Sequence, residues 1–257
     1  MTKLIKKILI EGKVKAVTGL MIGGSNTAMA IGGPDKVVIR NPVTNQPYIP
    51  GSSLKGKMRS LMEVSYGYIG RTKMGKVENG PDNTPGRITS LLFGTANNEV
   101  DKQRPSRIIV RDGQLQNAEF LLKFNTDLPF TEAKTEVVID RITSAAMPRT
   151  FERVPAGAEF NLSLVLNIFE DDKQEKELLE HTLRALLMVQ DDYLGGSGSR
   201  GSGQVKFEIE KVTERPASFY HGDNQAEKDI TKDAQIPDAL KPGSKETAKV
   251  QLNPALN

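Results

Sequence analysis

Two stretches with the period of an amphipathic helix are set among runs that alternate apolar and polar residues, and this order constrains the chain more than any other feature. Ile8, Ile10, Val14 and Ala16 alternate with Leu9, Glu11, Lys13 and Lys15, which marks a strand facing a core. After a long connection over 19–50 comes a helix with the apolar stripe Leu54, Met58, Leu61 and Met62. Residues 67–106 are rich in Gly, Asn and Pro around one apolar knot, ITSLLFG, and read as an irregular insertion. Strand-like runs follow at 107–111, 118–124 and 158–168, with a polar excursion over 125–157 between the last two. A second helix spanning 173–194 buries Leu179, Leu183, Leu186 and Leu187, and QVKFEIEKV is a closing strand through Val205, Phe207 and Ile209. Strand, helix, strand, strand, helix, strand is the split βαβ, ferredoxin-like order of an α+β domain. The pattern assigns 1–213 to that domain and 214–257 to a polar extension, ordered only if it docks.

In this topology the start of the first helix, the central hairpin turn and the junction of the second helix with the last strand share one edge of the sheet. Three unusual segments then converge: loop 19–50 with the helix start GSSLKGK, the excursion 125–157, and GGSGSRGSG at 195–203. Loops this long are often functional.

From Gly51 the helix start reads G-S-S-L-K-G-K-M, one residue short of a nucleotide phosphate loop, with Met58 where a magnesium-holding hydroxyl would stand. Pro47 and Pro50 argue against the buried strand that such a loop follows. A different phosphate remains open to it: Ser52 or Ser53 can cap the helix, and exposed N–H groups favour an anion. Lys55 and Lys57 occupy a first turn that the helix dipole would rather fill with acids, and Arg59 follows; a plain solvated amphipathic helix explains the same residues. In the glycine segment, Gly196, Ser197, Ser199 and Arg200 can form an anion nest, or the run is a flexible turn. In the excursion, VVIDRIT and AAMPR suggest a projecting hairpin. Its Met147 could wedge into a nucleic acid while Arg141, Arg149 and Arg153 hold phosphates. The plain alternative is a surface hairpin whose arginines pair with Glu136, Asp140 and Glu152.

Composition narrows the chemistry. Zero Cys excludes disulfides, thiolate metal sites and a cysteine nucleophile. His181 and His221 are too few for the usual zinc sites, and each reads as solvated. No apolar run approaches membrane-spanning length and no signal peptide is evident, so a cytoplasmic address without a membrane partner is expected. A net charge of +3 permits nucleic-acid binding by a local basic surface. The absence of Trp and of any aromatic signature argues against a stacking platform of the RRM kind.

With these residues in view, the chain resembles the RAMP proteins, the ferredoxin-like RNA-binding superfamily of CRISPR systems. More narrowly, it resembles the backbone subunit of the type III-A (Csm) effector complex. AIGGPDKVVIRNPVTNQPYIPGSSLKGKMRSLME, IDRITSAAMPRTFERVPAGAEF and YLGGSGSRGSGQVKFE carry the likeness, which covers 3–212 and fades over 67–106. The resemblance implies copies stacked head to tail on one guide RNA, other Csm subunits as neighbours, and a hairpin thumb that kinks the guide–target duplex at intervals. It implies cleavage of target single-stranded RNA with Mg2+ or another divalent cation, and it maps the cutting aspartate onto Asp35. On its residues alone, Gly33-Pro34-Asp35 is also a plain turn. A non-catalytic RNA-binding scaffold is the competing expectation, and a phosphate-loop transferase a third.

Overall fold

The period-2 run at the N-terminus is β1 (Leu4–Ala16), the central strand of a five-stranded antiparallel sheet. The structure, a computed structural model, describes residues 3–24, 35–69, 71–73, 76–78, 80–95, 105–124, 126, 128–172, 175–222 and 226–244. In chain order β1 is followed by β2 (Tyr48–Ile49), α1 (Gly51–Ser65), β3 (Arg71–Lys73), β4 (Lys76–Glu78), α2 (Ile88–Phe93), β5 (Ile108–Val110) and β6 (Gly113–Gln114). Then come α3 (Ala118–Leu121), β7 (Glu132–Ile139), β8 (Ala146–Arg153), β9 (Glu159–Phe169), α4 (Glu175–Asp191), β10 (Val205–Pro216), α5 (Ala217–Tyr220) and β11 (Lys228–Asp229).

The sheet order β11-β10-β1-β9-β5 contains the ferredoxin-like arrangement β10-β1-β9-β5. Ile10 of β1 lies between Val212 of β10 and Leu164 of β9, and Ile8 lies beside Leu166. These side chains face α1 and α4 and are essentially inaccessible. Fully burying one such side chain is worth about 1.5–3 kcal/mol, so this one row anchors the domain. On α1 the stripe falls where its spacing puts it: Leu54, Met58 and Met62 are buried and Leu61 packs on the core. Met58, at the position of the missing hydroxyl, is completely buried, so the segment is not a damaged nucleotide loop. On α4 the buried face is centred on Leu178, Thr182, Leu183, Ala185, Leu186 and Val189, with Leu179 and Leu187 at its margin.

Three local expectations are corrected. Residues 118–124 are not a strand; α3 and a turn occupy them, anchored by Asn117, which donates to Gly157 O and accepts the Glu159 N–H. The final strand, expected over QVKFEIEKV, does not stop at Val212 but continues to Pro216. Beyond it, β11 pairs with β10 through Thr213–Asp229 and Glu214–Lys228, and Ala234, Ile236 and Leu240 join the core. Within the 67–106 insertion, α2 buries Leu92 and Phe93. The excursion forms the expected hairpin, with β7 and β8 paired from Glu132–Arg153 to Ile139–Ala146.

Candidate nucleic-acid interface

The chain leaves β1 and threads between two of the three candidate segments. Gly196 N–H donates to Met21 O and Gly203 N–H to Gly19 O, each at 2.8 Å, joining the glycine segment to one side of 19–21. On the other side, Leu20 and Val154 exchange backbone hydrogen bonds at the root of β8. Residues 36–40 then return between these layers. Ile39 N–H donates to Ile22 O at 2.9 Å, and Lys36 bridges to Phe151 in parallel. Asp35, the first described residue after Gly24, donates its N–H to Thr150 O at 2.8 Å and is exposed. Gly33 and Pro34 lie outside the described residues.

A buried carboxylate fixes this return. Glu152 Oε2 accepts the Val38 N–H at 2.8 Å, and its Oε1 accepts from Thr131 Oγ1 at 2.6 Å and from the Arg40 guanidinium at 2.5 Å. The Glu152 backbone N–H donates to Lys36 O. Burial alone would raise the Glu152 carboxyl, but the bonds from Thr131, Arg40 and Val38 outweigh it and hold the pKa below the usual glutamate value. Glu152 therefore welds the thumb root to the segment that presents Asp35.

Above that weld is a cleft of about 470 Å3 lined by residues of all three loops: Asp35 and Lys36, Glu136 and Arg149 of the thumb, and Ser197 and Arg200 of the glycine segment. Glu136 stands opposite Arg149 across the β7–β8 ladder. The thumb projects past the cleft; Val137, Val138, Ile139, Ile142 and Met147 are exposed, as is Arg141 at the tip. Apolar side chains standing out of a hairpin between arginines form a wedge with phosphate anchors.

The glycine segment is more tightly built than a linker. Gly195 and Gly203 have φ of +81° and +85°, and a Cβ on them would stand 2.3 Å from Met21 O and 2.2 Å from Leu194 O. Their lack of a side chain thus serves close approach to the protein's own backbone, and the turn they hold brings Ser197 and Arg200 to the cleft, while Ser199 is exposed outside its lining.

The helix start departs from expectation. Neither Ser52 nor Ser53 caps α1; Pro50 is the N-cap residue and makes no side-chain cap bond. The anion at this end is internal, since Asp112 Oδ1 accepts the Gly51 N–H at 2.7 Å. Lys55 turns away from the cleft, donating to Ser106 Oγ at 2.7 Å, and burial together with the Arg59 charge lowers its pKa. Arg59 donates to Glu63 and to the carbonyls of Gly94 and Asp82, holding the insertion to α1. Of the three cations only Lys57 faces the glycine segment, 2.6 Å from Asp192 and over the Tyr193 ring. The helix start is thus beside the glycine segment but does not line the Asp35 cleft. His181 shares a hydrogen bond with Tyr66, burial lowers its pKa, and His221 is exposed.

Among the described residues, no group of three or more His, Asp or Glu side chains converges as a metal cage. Magnesium commonly keeps several waters and takes one or two carboxylates plus substrate phosphates, so an exposed Asp35 in a cleft that also holds Lys36, Arg149 and Arg200 suits one hydrated ion. A two-metal arrangement does not fit these residues.

A wedge-bearing hairpin, a glycine turn and an aspartate loop gathered on one edge of a ferredoxin-like sheet define a class, and the model of the RAMP superfamily matches residues 13–206. The CRISPR system Cms endoribonuclease Csm3 of Methanothermobacter thermautotrophicus is 38% identical over 234 residues, covering 85% of this chain and 90% of that protein. The Csm3 endoribonuclease of Streptococcus thermophilus is 42% identical over 209 residues, covering 80% and 90%. A Csm3 solved in a Csm3–Csm4 subcomplex of the type III-A interference complex superposes with a TM-score of 0.57 at 29% identity, covering 88% of this chain. The chain belongs to the Csm3 endoribonuclease family of the RAMP superfamily. No helix among the described residues is long and apolar enough to cross a membrane.

Proposed function

We propose that this chain is the repeated backbone subunit of a type III-A CRISPR effector, holding guide RNA and cutting complementary target RNA at regular intervals beside Asp35. The observation that carries the reading is the single cleft shared by Asp35, the thumb residue Arg149 and the glycine-turn residues Ser197 and Arg200. Family membership supports the ribonuclease activity, and the partners are guide RNA, target single-stranded RNA, further copies of this chain head to tail, and other Csm subunits.

In this reading the exposed wedge Val137–Ile139 with Met147 unstacks the duplex, and Arg141 and Arg149 hold flanking phosphates. A kinked strand can place a ribose 2′-hydroxyl in line with its own phosphorus, and such alignment supplies much of a barrier reduction. The Glu152 weld fixes the Asp35 backbone relative to the thumb that makes the kink. Asp35 accepts the 2′-hydroxyl proton or holds one hydrated Mg2+ or other divalent cation; when bound, that ion neutralises charge developing on the phosphate. Lys36, Arg149 and Arg200 line the same space and favour that charge too. The products are a 2′,3′-cyclic phosphate and a 5′-hydroxyl.

The test is Asp35→Ala in the guide-loaded complex. Loss of cleavage with guide and target binding retained supports the reading. Unchanged cleavage removes Asp35 from the chemistry and favours the scaffold alternative.

A further inference from the structure

An acid with no part in the chemistry is out of place in a cleft built for phosphate. Glu136 nonetheless lies on the cleft wall, directly across the ladder from Arg149, with Lys134 Nζ 3.1 Å from its Oε1. From the other side the glycine turn reaches it: Arg200 Nε is 2.9 Å from Glu136 Oε2, and another Arg200 nitrogen donates to Ser197 Oγ at 2.9 Å. Ser197 at φ 60° and Gly201 at φ +81° bracket this short turn, so the backbone itself aims Arg200 at the thumb. One carboxylate thus pairs with Lys134 and Arg200, with Arg149 at the facing ladder position and the Ser197 hydroxyl hydrogen-bonded to Arg200. That donor set is the one a phosphodiester oxygen would take.

We propose that Glu136 is a built-in phosphate mimic, which latches the glycine turn to the thumb in the RNA-free chain and is displaced when an RNA phosphate takes Arg200. The latch deepens the RNA-binding reading and rests on it. It keeps Arg200 ordered, so that the arginine needs no reorganisation when RNA arrives. It also sets a threshold: a phosphate in the wrong register meets the Glu136 charge without gaining Arg200, and is rejected. Glu136 is in this sense a specificity-determining residue and takes no part in bond breaking.

A double-mutant cycle on the full chain tests this, with a fluorescein-labelled single-stranded RNA of mixed sequence followed by anisotropy at fixed low salt. Glu136→Gln keeps the shape and removes the charge; it should tighten binding about two- to five-fold, the factor an exposed ion pair represents. Arg200→Ala should weaken binding, and adding Glu136→Gln to Arg200→Ala should change nothing further. Equal tightening in both backgrounds overturns the latch, because the gain is then a general loss of negative charge or the freeing of Lys134. No tightening by Glu136→Gln alone overturns it as well. If the wild-type chain fails to bind the RNA at all, the cleft is not an RNA site and the latch falls with that reading.

Discussion

Replacing Glu152 by Gln separates the weld beneath the cleft from simple packing, since the two side chains have the same shape. The carboxylate accepts three hydrogen bonds: from Val38 N–H on one oxygen, and from Thr131 and Arg40 on the other. Glu152 is only 2% exposed, so water cannot replace a lost partner. An amide has one carbonyl oxygen and one NH2. Set either way, its NH2 faces a donor, the Val38 N–H or the Arg40 guanidinium. The substitution loses a charge-assisted bond and strands a buried donor, about 2–4 kcal/mol together. The pH dependence sharpens the claim. The folded pKa lies below the unfolded value, so the stabilisation is fully present above an unfolded glutamate pKa of about 4.3 and is lost as pH falls through the folded pKa. Urea unfolding should show the full deficit of the variant at pH 7 and a shrinking one below about pH 4, as wild-type Glu152 itself takes up a proton. No deficit at pH 7, or one undiminished at about pH 3, would refute the assigned role of the carboxylate.

Asp112→Ala should cost about 1–2 kcal/mol by removing the acceptor at the start of α1, and Asp112→Asn, which keeps an acceptor, should cost less; equal urea midpoints for the two variants would deny the hydrogen bond any part. Gly203→Ala should destabilise by more than about 1 kcal/mol and blunt RNA binding, because both its φ of +85° and the approach of Leu194 O exclude a Cβ. Arg59→Ala should lower the melting temperature while leaving the salt dependence of RNA binding intact, and Arg149→Ala should do the reverse, as read by calorimetry and anisotropy.

Legibility in the sequence followed the range of the interaction. The period of β1 and the stripe Leu54, Met58 and Met62 are local, and they found their core positions directly. The same local logic failed at 118–124, where AEFLLKF is too short to separate a strand from a helix by period. The exact phase of the buried face of α4 is not legible from the sequence, because Leu179 and Leu187 are as apolar as Leu178 and Leu186. Convergence of the three loops followed from topology alone. What each polar residue does there did not, because the partners are far apart in sequence. Nothing near Gly51 announces Asp112, nothing near Val38 announces Glu152, and Arg59 reads as a free cation until Asp82 and Gly94 come back to it. In 195–203 the glycine pattern alone does not show that Gly195 and Gly203 admit the backbone of Met21 and Leu194, the first of which is remote in sequence. The extension from 214 carried only scattered apolar residues, yet Ile236 and Leu240 are in the core because β10 continues far enough to bring them round.

The most direct measurement is photo-cross-linking of the guide-loaded complex to a target RNA carrying 4-thiouridine near its cleavage positions, with the modified peptides mapped by mass spectrometry. The account predicts adducts within 35–36, 147–151 and 197–200. Adducts confined to the insertion or to the outer face of α1 around Arg59, with those three segments unlabelled, would contradict it.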